Sequence, residues 1–169
     1  QDLLDKLGNI ALSEGVEKMK AKAKELIDPV IQKTGEHTQL GNAYEVSGKV
    51  LGSYVHNGKI SVIVSLEGGT EELAKDIAMH IAAMKPEYIR PEEITPEAIK
   101  TVTEIFEKEI ANTDKTDEIK KKMLDGKIKS YFKEKTLLEQ SFIKDAEQSI
   151  GELLEKNKAR IKEIRHYSI

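Results

Sequence analysis

The dipeptide Asn57-Gly58 stands between two runs of strand-forming residues, and it constrains the fold more than any other feature of the chain. The run before it is Val50-Leu-Gly-Ser-Tyr-Val55 and the run after it is Ile60-Ser-Val-Ile-Val-Ser-Leu66, both rich in β-branched and aromatic residues. Asn-Gly favours a type I′ turn, because both central residues of that turn need positive φ. The sequence therefore predicts a β-hairpin whose tip is Asn57-Gly58.

Another strand is predicted immediately before this hairpin, between Thr38 and Ser47. The segment contains Leu40, Tyr44 and Val46, although polar residues interrupt it. Together with the two strands of the hairpin it would form a three-stranded antiparallel meander.

An alanine-rich helix follows the predicted sheet. Gly68-Gly69 ends the last strand, Thr70 is a suitable N-cap, and apolar residues recur at helical spacing to about Met84. The alanines allow close packing onto the sheet, and the predicted buried stripe comprises Leu73, Ile77, His80, Ile81 and Met84. We therefore expect His80 to be a buried, hydrogen-bonded core residue.

Further helical patterns lie at the beginning of the chain and after the alanine-rich helix. Residues 1 to about 33 are predicted to be helical, with a kink or an end at Asp28-Pro29, because proline disfavours helical geometry in the preceding residue. Thr95 and Pro96 suit the N-cap and first position of another helix. Its apolar stripe and a second one after the break at Asn112–Lys115 predict an antiparallel helical hairpin, or coiled coil.

The last part of the chain returns to a globular pattern. A helix is predicted to start at Ser149, and a final strand to contain Ile161, Ile164 and Tyr167. The predicted fold class is α+β: a three-stranded antiparallel meander packed with helices, with an inserted helical hairpin and a C-terminal helix and strand that return to the sheet. The expected domains are a helical segment at 1–35, a core at 36–94 and 135–169, and the inserted hairpin at 95–134.

The composition excludes several classes of protein. The chain has 27 Lys and Arg against 30 Asp and Glu, a net charge of −3, which gives no overall electrostatic reason to bind nucleic acid or membranes. The absence of cysteine excludes disulfides, thiolate nucleophiles and most structural zinc sites, and favours a cytoplasmic location. No apolar run approaches the ~18 residues that a membrane span needs.

No catalytic residue, metal site or cofactor site is predicted. The histidines lack a ligand pair at helical spacing, and the serines lack the context of a nucleophile. A protein-binding module is therefore favoured over an enzyme that uses His56, and the near-neutral charge argues against an RNA-binding domain. A homodimerising structural module built on the helical hairpin remains an alternative.

Several stretches of the chain resemble the elongation factor Ts family. They are Thr34-Gly35-Glu36, Val50-Leu-Gly-Ser-Tyr-Val-His56, Ile77-Ala-Met-His-Ile-Ala-Ala-Met-Lys-Pro-Glu-Tyr-Ile89, Lys122-Met-Leu-Asp-Gly-Lys-Ile128 and Leu138-Glu-Gln-Ser-Phe142. The resemblance implies a factor that binds elongation factor Tu, in its GDP-bound and nucleotide-free forms, and promotes exchange of GDP for GTP.

The resemblance also implies which residues contact elongation factor Tu. The matching positions are Thr34 and Gly35 before the sheet, His56 at the hairpin, and Ile143 and Lys144 in the return segment. Thr34 replaces an aliphatic residue that the family is expected to have there, and Lys144 replaces an apolar one.

The family's Thr-Asp-Phe-Val motif, whose Phe wedges into the GTP-binding domain, does not occur in these 169 residues. The chain also begins inside a helical pattern and without Met. We expect it to be a fragment that lacks an N-terminal domain and this motif, and expect these residues alone to bind elongation factor Tu weakly and exchange nucleotide poorly.

Overall fold

A computed structural model describes residues 2–168, which divide into a first unit that ends at Val46 and a second unit that begins at Ser47. The first unit contains helices α1 (Asp2–Glu14) and α2 (Val16–Thr34). The second unit contains the remaining elements: β1 (Val50–His56), β2 (Ile60–Glu67), α3 (Glu71–Met84), α4 (Pro96–Ala111), α5 (Asp117–Lys135), β3 (Ser141–Phe142), β4 (Asp145–Ser149), α6 (Ile150–Lys156) and β5 (Arg160–Ser168).

The first unit is a pair of helices packed around its own small core. The break between them falls at Gly15, whose φ of 93° only glycine adopts readily. Of the kink or end predicted at Asp28-Pro29, the end is wrong, because α2 continues to Thr34 with Pro29 inside it, close to the predicted helical limit at about residue 33. Apolar residues on both sides of the proline hold the helix to the core, which comprises Leu7, Met19, Ala23 and Ile27 with Ile31 packed against it.

The strand predicted between Thr38 and Ser47 is not formed, so the predicted meander is wrong in its first strand. Leu40 packs against the core of the first unit, and Tyr44 is 60% exposed. Gly41-Asn42 interrupts the segment, and both residues disfavour strands. The third strand of the antiparallel sheet is instead β5, so that the order is β1-β2-β5.

The hairpin between β1 and β2 forms as predicted. Asn57 and Gly58 have φ values of 51° and 66°, and the Lys59 N–H donates to the His56 carbonyl oxygen at 3.0 Å. The antiparallel register runs from Val50 opposite Leu66 to His56 opposite Ile60.

Helix α3 packs on this sheet at very close range. A Cβ atom on Gly52 would overlap the backbone of Ala74 and Lys75, so β1 can approach α3 only with glycine at this position. Ala74 and Ala78 are fully buried, as the alanine pattern predicts, but Met84 is 47% exposed and does not belong to the buried stripe. The buried core of the second unit comprises Val62, Val64, Leu66, Leu73, Ala74, Ile77, Ala78, Ile81, Ala82, Leu137, Phe142, Ile150, Leu154 and Ala159.

Helices α4 and α5 form the predicted helical hairpin. The Thr95 hydroxyl accepts the Ala98 N–H at 3.2 Å and caps α4 as expected. Phe106 of α4 meets Tyr131 of α5 edge-on, with ring centroids 5.9 Å apart. The segment before α4 and the segment after α5 lie side by side, since the Tyr88 carbonyl accepts the Leu137 N–H at 2.9 Å.

The return segment begins with a second, two-stranded sheet, which the sequence did not predict, formed by β3 and β4. The predicted helix start at Ser149 is confirmed, because Ser149 and Glu152 form a reciprocal capping box at the beginning of α6. The predicted final strand is β5, which pairs antiparallel with β2.

Candidate functional site

The five residues that the family resemblance implies as partner contacts all lie where a helix or strand ends. Thr34 and Gly35 follow one another at the C-terminal end of α2, in the first unit. His56 is the last residue of β1, and Ile143 and Lys144 form the turn between β3 and β4, all in the second unit. The structure therefore gathers Ile143 and Lys144 in one turn and puts His56 on a different hairpin of the same unit.

Thr34 and Gly35 form the C-terminal cap of α2. Gly35 has a φ of 72° and donates its N–H to the Ile31 carbonyl oxygen at 2.8 Å. The Thr34 hydroxyl donates to the Val30 carbonyl at 2.9 Å and accepts the Glu36 N–H at 3.2 Å. This local hydrogen bonding fixes the direction in which the chain leaves the helix, and both residues remain exposed.

His56 is an exposed side chain whose ring is held by its neighbours. Tyr54, two residues earlier on the same face of β1, places its Oη 3.1 Å from His56 Nδ1. Asn57 Nδ2 lies 3.3 Å from His56 Nε2, and the Tyr54 and His56 rings stack with centroids 6.1 Å apart. The imidazole is thus presented in one orientation beside the tip of the hairpin.

The turn at Ile143-Lys144, which we call the β3–β4 turn, presents an apolar side chain to solvent. Ile143 is 48% exposed. Lys144 Nζ forms a salt bridge with Asp76 Oδ1 of α3 at 2.6 Å, and the Asp76 side chain is only 23% exposed. The ion pair ties one side of the turn to α3.

His80 ties the same turn to α3 from inside the protein. It is fully buried, its Nδ1 lies 3.3 Å from the Ile143 backbone nitrogen, and its Nε2 lies 2.9 Å from Gln140 Oε1. The prediction of a buried, hydrogen-bonded histidine is confirmed. Burial lowers the pKa of His80 below its ordinary value, and the hydrogen bond with Gln140 opposes this in part.

Within residues 2–168, no group of three or more His, Asp or Glu side chains could hold a metal ion. Over the same residues, none of the helices is long and apolar enough to cross a membrane.

Sequence reasoning missed Asp76 and Gln140, which hold the β3–β4 turn together with His80. Asp76 lies one helical turn before His80, so that both side chains emerge on the same face of α3. This spacing was available as a signal, but the partners of Asp76 and His80 lie 60 or more positions away along the chain. Nothing local indicated the pairing.

The chain as a whole is similar to known proteins of one family. A family model described as Elongation factor TS matches residues 3–169. A curated elongation factor Ts from Hahella chejuensis is 38% identical over 152 residues, which cover 89% of this chain and 53% of that protein. One from Pseudomonas fluorescens is 40% identical over 144 residues, which cover 83% of this chain and 49% of that protein. The chain thus spans about half the length of the curated relatives it matches.

Proposed function

The chain belongs to the elongation factor Ts family, and from this premise we propose that it binds elongation factor Tu in the cytoplasm and promotes the exchange of GDP for GTP during protein synthesis. The binding residues in this proposal are Thr34, Gly35, His56, Ile143 and Lys144. The exchange needs no covalent step, so the chain acts as a binding partner and not as an enzyme.

The observation that carries the proposal is the β3–β4 turn. It exposes the apolar Ile143 at its tip while α3 holds its backbone through His80 and its lysine through Asp76. Because the backbone of the turn is already held, placing Ile143 in an interface requires little further ordering of the chain, which favours its use as an interface anchor.

Exchange follows from reciprocal coupling between two ligands of elongation factor Tu. If this chain weakens the binding of GDP, GDP must weaken the binding of this chain by the same factor. Binding energy at Ile143 and His56 can then be used to open the nucleotide site. Because the Thr-Asp-Phe-Val sequence does not occur within these residues, we expect the exchange they produce to be slower than that of a relative that contains it.

The release of labelled GDP from elongation factor Tu tests the proposal. We expect release to accelerate with increasing concentration of the chain, more weakly than with the elongation factor Ts of Hahella chejuensis as the reference. Ile143→Ala should require about tenfold more of the chain for the same rate, as expected for loss of an interface anchor. Absence of any acceleration, even at concentrations well above those at which the reference is saturating, would refute the proposal.

Ile119→Ala provides a matched control. Ile119 lies on α5 and is 44% exposed, close to the 48% of Ile143. The proposal predicts that this substitution leaves GDP release unchanged, because Ile119 is not among the contact residues.

As a second candidate function, we propose that the helical hairpin supports homodimerisation. Two isoleucines of α4 are exposed by 43 and 57%, namely Ile99 and Ile105. Sedimentation over a range of concentrations distinguishes this function: a dimer that Ile105→Ala dissociates would support it, and a monomer at all concentrations would exclude it.

A further inference from the structure

His80 lies within a series of hydrogen bonds that runs from Glu134 through Gln140 and His80 to the backbone of the candidate contact residue Ile143. We call this series the relay. We propose that His80 is a positioning residue: by accepting the Ile143 N–H, it holds the β3–β4 turn in the conformation that presents Ile143 to elongation factor Tu. This inference rests on the proposed function, and it assigns a binding role to a side chain that never reaches the surface.

The direction of each hydrogen bond in the relay follows from the chemistry of its members. Gln140 Nε2 donates to the Glu134 carbonyl oxygen at 2.7 Å, and a carbonyl oxygen can only accept. Gln140 Oε1 therefore faces His80 Nε2, 2.9 Å away, and this nitrogen must carry the proton. In a neutral imidazole the other nitrogen, Nδ1, then has a free lone pair for the Ile143 N–H.

Gln140 is itself fixed, so the relay is anchored at its far end. Its side chain is 4% exposed, its backbone N–H donates to the Thr136 carbonyl at 3.0 Å, and its carbonyl oxygen accepts the Ile150 N–H at 3.0 Å. The Phe142 ring packs beside His80 with a centroid separation of 6.2 Å. Neither ring nitrogen can move without leaving a buried polar group unsatisfied.

The β3–β4 turn needs such an anchor because its own ladder is short. Strand β3 consists only of Ser141–Phe142, and the register shifts between these two residues. An isolated pair of strands is at best marginally stable in water. The His80 hydrogen bond and the Asp76–Lys144 salt bridge hold two successive residues of the turn to one face of α3.

Two substitutions separate the two hydrogen bonds of His80. The amide oxygen of asparagine can occupy the place of Nδ1, so His80→Asn keeps an acceptor for the Ile143 N–H. The amide nitrogen of glutamine reaches the place of Nε2, so His80→Gln keeps a donor for Gln140 and loses the acceptor for Ile143. Both variants lose ring packing against Phe142, which makes each the control for the other.

The affinity of the chain for nucleotide-free elongation factor Tu is the main test. We expect His80→Gln to raise the Kd about three- to tenfold, as for one lost hydrogen bond, and His80→Asn to raise it less than about twofold. In a chain that already carries Ile143→Ala, His80→Gln should not raise the Kd further, because His80 acts on binding through Ile143. Equal Kd values for the two variants, or an undiminished effect of His80→Gln in that background, would overturn the inference.

Amide hydrogen exchange at Ile143 tests the positioning without the partner. The Ile143 N–H should exchange faster in His80→Gln than in His80→Asn, provided that circular dichroism shows both variants folded. Equal exchange rates would overturn the inference even if the chain binds elongation factor Tu. If the parent chain does not bind elongation factor Tu, the proposed function is refuted, whereas the exchange rates at Ile143 still test the positioning role of His80. The failure of one hypothesis can therefore be distinguished from the failure of the other.

Discussion

Replacing Gly52 by alanine tests whether the close contact between β1 and α3 organises the second unit. The added Cβ would overlap the backbone of Ala74 and Lys75, which cannot rotate away as a side chain could. Overpacking of a core lowers the free energy of unfolding by about 1–3 kcal/mol. We expect about 3 kcal/mol here, because the overlapping atoms belong to the backbone. Replacing a glycine in a strand by alanine raises the free energy of unfolding by about 0.5–1 kcal/mol, because the unfolded chain becomes less flexible. We therefore expect the free energy of unfolding to fall by about 2 kcal/mol.

Urea denaturation followed by circular dichroism measures this loss, and thermal melting should show a Tm lower by about 4–8 °C. Gly126→Ala is the matched control in the same unit. Gly126 lies inside α5, and apart from its chain neighbours and the nearby backbone of the same helix, no atom of the described residues lies within 4 Å of a Cβ placed there. This substitution should raise the free energy of unfolding by about 0.5–1 kcal/mol, because alanine favours helices over glycine. A Gly52→Ala variant as stable as the parent chain would refute the assigned contact.

Three further predictions concern the caps and the buried histidine. Ser149→Ala removes the capping box with Glu152 and should cost about 1 kcal/mol in urea denaturation, whereas no loss would contradict the cap. Gly35→Ala should lower the free energy of unfolding by about 1 kcal/mol in the same assay despite open space around the residue, because alanine is strained at the φ of 72° that Gly35 has, and a gain in stability would exclude this strain. Because the pKa of His80 is lowered, the folded chain binds fewer protons at this residue than the unfolded chain does. The contribution of neutral His80 to the free energy of unfolding is therefore complete above pH 6.5, its ordinary pKa, and is lost as the pH falls below that value. Urea midpoints between about pH 7 and pH 5 should therefore fall more steeply in the parent chain than in His80→Gln, and equal slopes would contradict the shift.

The elements that sequence predicted well are those specified by nearby residues. The turn at Asn57-Gly58, the caps at Thr70, Thr95 and Ser149, and the helical hairpin all follow from short patterns. Each involves residues within a few positions of one another, where backbone geometry and local hydrogen bonding decide the conformation.

The elements that sequence missed depend on contacts between distant residues. The segment predicted as a strand before the hairpin instead packs Leu40 and Ala43 against the core of the first unit, and the third strand of the sheet is β5, from the other end of the chain. The polar strand β4 carries no apolar alternation and forms beside β3. His80 was predicted to be buried, but its link to Ile143, 63 positions away, could be found only in the folded chain.

The affinity of this chain for elongation factor Tu, measured with and without GDP, tests the proposed exchange function most directly. Coupling requires that the nucleotide-free form binds the chain more tightly than the GDP-bound form, by a factor in the usual range of about 5–150. Ile143→Ala should weaken binding to the nucleotide-free form, and Ile119→Ala should not. Equal affinities for the two forms would contradict the proposed coupling, because a partner that does not distinguish them cannot weaken the binding of GDP.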